Sequence, residues 1–556
     1  TGIDGSHLAP CKIAPMPVRK KYWPESSELR HGVHDGAVTK ACLNNTPLSA
    51  MRSNVGVLTT VFGLRRVSTL AYALAYLPQS SAKAKSILGV FCLANPGKVN
   101  KRPTAKIVKY FIMIKKLVSN NLNSVTIDEP LANYELTLHP HKPFLYAIFL
   151  GLFVALLGWM TYPVHGSNWN QWRGSLGDGS HTSGPWPASI DEKTLVTKWS
   201  SEKLGASYSG PITDGNLVFT TESSEDKESV LAFTLKDGKL KWKQNWSGKM
   251  KVPFFAARNG SWIRSTPAVA NGRIFVGGMR DHLLCLNSKS GEIEWEIDFP
   301  KKFKSPLPDF GFASSPLVDQ KHVYVQAGAS FNKIDQETGT IIWRTIGDKG
   351  GMWGSAFSSP TFAKIDGQNQ ILVLTRSDLN GINPEDGKAL WKMPIKAFRG
   401  MNILTPLPFK DGIFTSAYGG GSSFIRVGNK QNKWSATLKW KNKSQGYMCS
   451  PVQYDGKAYL HLRNNRFACF DLETGKEEWV SSKSFGKYMS LIINNDKILA
   501  LNQKGILYLI QANPKKLNIL SERRLPKGES WAHLGVQNRM VMVRSLNRLH
   551  VFDWKI

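Results

Sequence analysis

Cysteine is scarce and unpatterned in this chain of 556 residues. Cys11, Cys42, Cys92, Cys285, Cys449 and Cys469 include no adjacent pair, no CxxC and no Cys/His spacing suited to zinc. Cys285 and Cys469 lie inside apolar runs, where a thiol acts as a small buried hydrophobe. HExxH, GxSxG, the Walker loop and GxGxxG are also missing, which removes the usual zinc-peptidase, serine-hydrolase, nucleotide-phosphate and dinucleotide sites. Acids are few beside bases, with 41 Asp/Glu against 72 Lys/Arg and a net charge of +31. The excess is spread out: residues 1–142 carry +12 and the remainder +19. Lys236, Lys239, Lys241, Lys301, Lys302 and Lys304 sit in loop-like stretches rather than on one helix, so the charge reads as a solvated basic surface and not a nucleic-acid face. No long helical period appears after residue 167, which points to an all-β fold.

One long apolar run divides the chain. FLYAIFLGLFVALLGWMTY, residues 144–162, holds no charge. As a helix it would rise about 28 Å, enough to cross a bilayer core. Lys115, Lys116 and Lys142 precede it and the next charged residue is Arg173, so the positive-inside bias sends everything beyond it out of the cytoplasm. The segment 143–163 is therefore expected to be a signal-anchor or signal-peptide helix, preceded by a basic cytoplasmic segment at 113–142. Residues 1–112 open with Thr, are punctuated by seven prolines from Pro15 to Pro103 and show no period; they read as disordered, or as upstream sequence with Met113 a candidate initiator. Residues 164–193 read as an extracytoplasmic linker.

From residue 208 a pattern recurs: a small residue and Pro, apolar positions, a tight turn, a β-rich run, then an acidic-Gly turn and Trp. Ser450-Pro451 with FACFDLETGKEEW (467–479), Thr266-Pro267 with LLCLNSKSGEIEW (283–295) and Ser315-Pro316 with FNKIDQETGTIIW (331–343) are clear copies. Copies begin at Pro211, Pro267, Pro316, Pro360, Pro406 and Pro451, followed by degenerate starts at Leu491 and Leu534, spaced 40 to 56 residues apart. That spacing matches one four-stranded propeller blade. Residues 194–556 are thus predicted to form an eight-bladed β-propeller of antiparallel blades. Trp242, Trp295, Trp343, Trp391, Trp440 and Trp479 close fourth strands, where each ring can bury about 150–250 Å² against the next blade. The eighth copy ends after its third strand, and TLVTKW (194–199), with Trp199 at the diagnostic position, is the candidate to complete it.

These repeats resemble the tryptophan-docked repeats of the pyrroloquinoline-quinone (PQQ) propeller superfamily, and NWNQWRGSLGDG (168–179) resembles the segment that precedes the first blade in secreted members. The superfamily holds quinoprotein alcohol and sugar dehydrogenases and also non-catalytic members such as the outer-membrane assembly lipoprotein of the Bam complex. The dehydrogenase branch implies a quinone stacked on adjacent cysteines, Ca²⁺ on carboxylate and amide oxygens, and an Asp base. No Cys-Cys pair exists here, and Asp237, Asp386 and Asp471 read as hairpin residues.

Neither a catalytic nor a metal site is therefore expected, and no cofactor, with PQQ and Ca²⁺ the alternative. Three residues before each blade start stand Tyr208, Arg264, Ala313, Phe357, Ile403, Met448, Tyr488 and Trp531; one before it are mostly Ser and Thr, with His533 the exception. Alternation puts both sets on one side of the strand. Arg264, Tyr488, Trp531, His533, Trp353 and Tyr208 are thus candidates for a channel-mouth binding site, with Arg399 a further one. A non-catalytic binding or scaffold role in the cell envelope is predicted, the partner being a protein, a peptide or a glycan; a quinone-dependent oxidoreductase is the alternative. Removing residues 1–112 is expected to leave the propeller's melting transition unchanged. A chain that fails to fold without them would overturn this division of domains.

Overall fold

A computed structural model describes residues 169–556, apart from 183, 249, 355, 527 and 556. The expected segments at 1–112, 113–142 and 143–163 lie outside the described residues. Among those described, no helix is long and apolar enough to cross a membrane.

Thirty-two strands, β1 to β32, form eight separate four-stranded antiparallel sheets. Blades 1 to 7 are continuous meanders at 212–247, 268–298, 317–345, 361–394, 407–442, 452–484 and 489–524. Each first strand begins within two residues of its expected start, one residue after it in every blade but the seventh, where it begins two before. Blade 8 combines β30 (Gly535–Gln537), β31 (Met540–Ser545) and β32 (Arg548–Trp554) with β1 (Leu195–Ser200), from the other end of the ring. Leu195 faces Trp554 and Ser200 faces His550 in that pairing. The eight-bladed ring and its closing strand are as expected.

Burial follows position in the blade. The middle strands are apolar and buried on both faces, as in Ile274–Val276 and Leu283–Leu286 of blade 2, whereas outer strands such as Ile293–Asp298 alternate with solvent. The core is a set of apolar clusters, several of them spanning neighbouring blades: Phe275 and Cys285 of blade 2 pack with Val323, Val325 and Ile334 of blade 3.

The fourth strands carry a feature the repeat pattern did not signal. In every blade a register shift falls immediately before the diagnostic position, leaving one extra residue there: Lys241 before Trp242, Glu294 before Trp295, Lys198 before Trp199. Such a bulge twists the strand and re-aims the next side chain. Six indoles consequently donate from Nε1 to a backbone carbonyl of the following blade: Trp199 to Leu235, Trp242 to Ser288 and Trp295 to Gln336, each at 3.0 Å, Trp343 to Pro384 at 3.3 Å, and Trp440 to Leu472 and Trp479 to Asn513 at 2.9 Å. In the first five of these six, counting Trp440, the ring lies over the glycine of the receiving turn. A Cβ on Gly291 would stand 2.6 Å from Trp242, and Gly238, Gly339, Gly387 and Gly475 are equally close to their indoles.

Trp391 makes no such bond across the gap. Its Nε1 donates 2.8 Å to Gln370 Oε1 in its own blade. The cause lies in blade 5, whose third and fourth strands are ten residues each and meet at Gln431-Asn432 instead of an acid-x-Thr-Gly turn, so no receiving carbonyl over a glycine is presented. Trp391 still packs on Ile425 and Val427 of that blade. In blade 7 the position is Ser521, whose hydroxyl accepts from Ile190 N at 3.2 Å.

These contacts predict an asymmetry between two glycines of similar backbone angle. Gly291 (φ +78°) lies under Trp242, whereas Gly272 (φ +77°) has nothing within 4 Å. Gly291→Ala is expected to cost about 1–3 kcal/mol more than Gly272→Ala, by overpacking against the indole. Equal losses in denaturant titrations would contradict the contact.

Candidate functional site

From Trp169 onward, residues expected to be a linker lie inside the ring. Trp169 O accepts from Thr213 N of blade 1 (2.9 Å), Asn170 O from Val269 N of blade 2 (2.7 Å) and Gln171 Oε1 from Val318 N of blade 3 (2.8 Å). Trp172 Nε1 donates to Thr405 Oγ1 of blade 5 (2.9 Å), and Arg173 donates to the Ser450 and Pro451 carbonyls at the start of blade 6. Gly179 O accepts from Ile493 N of blade 7, Trp169 N donates to Gln537 Oε1 of blade 8, and Gly177 abuts Thr361 of blade 4. One short segment thus touches all eight blades and plugs the central tunnel. Arg173 is fully enclosed, and burial pushes its guanidinium pKa down to about 10.

On the other side of the inner-strand starts lies a cavity of about 620 Å³, with Trp172 of the plug among its lining residues. All eight residues expected three places before the blade starts line it, from Tyr208 to Trp531, and so do His533, Trp353 and Arg399. The structure therefore brings every sequence-predicted mouth residue to one place. Tyr488 stacks on Trp531 (5.7 Å, 10°), Trp531 stacks on Tyr208 (5.4 Å, 30°), and Tyr208 meets Trp262 edge-on (5.3 Å). Burial raises both tyrosine pKa values, that of Tyr208 to about 12.

The row of hydroxyls also joins the blades. Gly210 N donates to Thr266 Oγ1, Thr266 N to Ser315 Oγ, Ser315 N to Ser359 Oγ and Thr405 N to Ser450 Oγ, all at 2.9 Å. These hydroxyls clasp neighbouring inner strands together even where Ser315, Ser359 and Ser450 border the cavity. His533 is buried, stacked on Trp169 (6.1 Å, 21°) and edge-on to Trp172 (5.0 Å, 63°), with Nδ1 against Leu534 O at 2.9 Å. It holds the plug rather than standing free at the rim.

Residues that the sequence pattern missed enlarge the site. Arg376, in the hairpin turn between the middle strands of blade 4, donates from Nε to Gly400 O (2.7 Å) and from Nη2 to Arg399 O (2.8 Å). Its guanidinium lies over Phe357 at 4.4 Å, with Phe310 and Trp353 at 5.8 Å. Phe255, Phe310 and Phe398 arrive from the loops that join one blade's fourth strand to the next blade's first. The aromatic words PFF, DFGF, MW and AF in those loops were the available signal. Among the described residues no Asp or Glu lines the cavity.

The matching family model is described as outer membrane protein assembly factor BamB and covers residues 226–481. The BamB of Shewanella oneidensis is 22% identical over 280 residues, 45% of this chain and 66% of that protein, just under two thirds of its length. The crystal structure of BamB from Moraxella catarrhalis aligns at 12% identity over 65% of this chain and 99% of its own, with a TM-score of 0.47. The quinohemoprotein alcohol dehydrogenase ADHIIG of Pseudomonas putida HK5 aligns at 14% identity over 70% of this chain and 80% of its own, with a TM-score of 0.50. The blades of this chain resemble those of PQQ-like β-propellers.

Whether a PQQ-like propeller carries the quinone depends on its own residues. Among the described residues no group of three His, Cys, Asp or Glu could hold a metal ion. Cys285, Cys449 and Cys469 are buried, separate and free, and burial raises their thiol pKa values. Neither the adjacent cysteines nor the carboxylate cluster of a calcium–quinone centre occurs among the described residues.

Acid should loosen the plug. Burial, reinforced by the nearby Arg173 charge, pushes the His533 pKa down from 6.5 to about 3. Between those values the unfolded chain binds the extra proton, so stability is full above pH 6.5 and falls as the pH drops toward 3. His533→Phe, which keeps a ring between the two tryptophans, is expected to flatten part of this decline in melting temperature. An unchanged acid limb would show that His533 is not a source of it.

Proposed function

We propose that this chain is a non-catalytic binding or scaffold propeller of the cell envelope, acting outside the cytoplasm and engaging a protein partner at the open mouth of its central cavity. One observation carries the reading: the cavity is walled by stacked aromatics and arginines and holds no carboxylate that could act as a general base. A volume of about 620 Å³ falls in the ordinary range for ligand recognition, some 300–1,000 Å³. The likeness to an outer-membrane assembly factor supports an envelope partner. Lys115, Lys116 and Lys142 ahead of the apolar run 143–163, with no further charge before Arg173, support tethering at the inner membrane, with the propeller on the far side.

A pull-down from solubilised envelopes tests this. The intact chain should retain a protein that Trp531→Ala and Trp353→Ala release, because truncating a central aromatic contact costs about 2 kcal/mol or more. Retention indifferent to both substitutions would move the binding surface elsewhere. Incubation with PQQ and Ca²⁺ tests the oxidoreductase reading; quinone absorbance together with dye-linked alcohol oxidation would replace the binding role.

A further inference from the structure

The mouth of the cavity is chemically one-sided. Four consecutive loops, joining blades 1 to 5, bring aromatic and basic residues to the same face. Phe254 is 91% exposed, Phe255 54%, Trp353 57% and Phe398 45%. Large aromatics so exposed in one neighbourhood mark an interaction surface. Lys251, Lys304, Lys349, Lys396 and Arg399 stand exposed in the same loops, and none forms an ion pair among the described residues. Elsewhere in the blades, by contrast, cations are commonly paired: Lys439 with Glu473, Lys457 with Asp471 and Lys483 with Glu522.

Inside the mouth the same bias deepens. Arg376 is only 8% exposed, and its Nη1 is buried without a hydrogen-bond partner. Arg264 donates from Nη2 to Gly260 O (2.7 Å), while its Nε is likewise buried and unpartnered. Asp309 and Asp348 lie near enough to favour the Arg376 charge through space, and Glu529 accepts from Trp531 Nε1 at 2.6 Å, yet no acid enters the lining. A desolvated guanidinium with spare donors is costly unless an anion meets it.

We propose that the occupant of this mouth is an acidic, apolar polypeptide segment of a partner protein, which seats a carboxylate against Arg264 and Arg376 and lays its apolar residues on the exposed aromatics. The proposal rests on the binding role given above and adds the partner's chemistry. A flat anionic membrane would meet the rim but could not bring its headgroups to Arg376, which sits below the rim within an aromatic box. A polypeptide can insert one side chain or its terminus while the rest of the segment stays on the rim.

Two fluorescent heptapeptides, one with a central Phe-Glu-Phe and the other with Phe-Gln-Phe, test this on the full chain by anisotropy. The Glu peptide should bind about tenfold tighter, a charge-assisted bond being worth roughly 1.4 kcal/mol or more. The preference should shrink with added salt and vanish in Arg264→Gln, which loses a single backbone bond and whose folding is checked by its melting curve. Arg376→Gln should act in the same way, and Lys476→Gln, outside the lining, should change nothing. Equal binding of the two peptides overturns the carboxylate claim. So does failure of both peptides while an envelope protein is still retained in a Trp531-dependent way, and that result leaves the binding role standing. Loss of Trp531-dependent retention as well removes both. Capture of vesicles containing anionic lipid, with neither peptide bound, assigns the face to a membrane and also overturns the proposal.

Discussion

The eight sheets share no ladder hydrogen bonds with one another, so the ring stands or falls on what side chains do across the gaps between blades. The recurrent answer is an indole N–H given to a carbonyl of the next blade, with the ring lying on that blade's turn glycine. Each such bond contributes on the order of 1 kcal/mol net, but an unmet carbonyl at the same place would cost more. The bulge one residue earlier makes it possible by turning the Trp out of its own sheet and toward its neighbour. β1 extends the same logic around the seam: it covers the free edge of β32, and Trp199 clasps blade 1 from the outer strand of blade 8.

The inner ends of the blades are joined differently, and the site follows from how. Hydroxyls one residue before the blade starts bind the adjacent inner strands, and the segment from Trp169 to His181 crosses the tunnel with a contact to every blade. The tunnel is closed on one side and left open on the other. Everything at the open side, including Arg264, Phe357, Tyr488 and Trp531, is displayed by strands whose relative positions the clasps and the plug determine. The cavity is a consequence of the ring closing, with its character set by the loops between blades.

Legibility divided along the line between periodic and singular features. The blade number, the blade starts, the closing strand and the eight mouth positions could be read because each recurs at a fixed place in a repeat, and a recurring place maps onto a recurring geometry. Trp391 packs on the next blade as its repeat position predicts, but its hydrogen-bond partner was not legible there, because a clasp depends on two blades and the receiving turn in blade 5 departs from the pattern. The plug was read as a linker because it meets each blade with different atoms, a carbonyl here and a glutamine oxygen there, so nothing in it repeats. Arg376 was missed because it stands in a hairpin turn of blade 4 rather than in the series before the first strand. Phe255 and Phe398 were legible only as aromatics in loops, a signal that gains meaning once the loops are known to share a face.

Hydrogen exchange measured by mass spectrometry on Trp295→Phe tests the clasp most directly. The substitution keeps an aromatic ring and removes the N–H that Gln336 O receives, together with part of the ring that covers Gly339. Faster exchange in the blade 3 turn around residues 335–340, with the blade 2 ladder unchanged, is the result that side-chain joining of the blades predicts. Exchange that rises only within blade 2, leaving that turn of blade 3 protected, would contradict it.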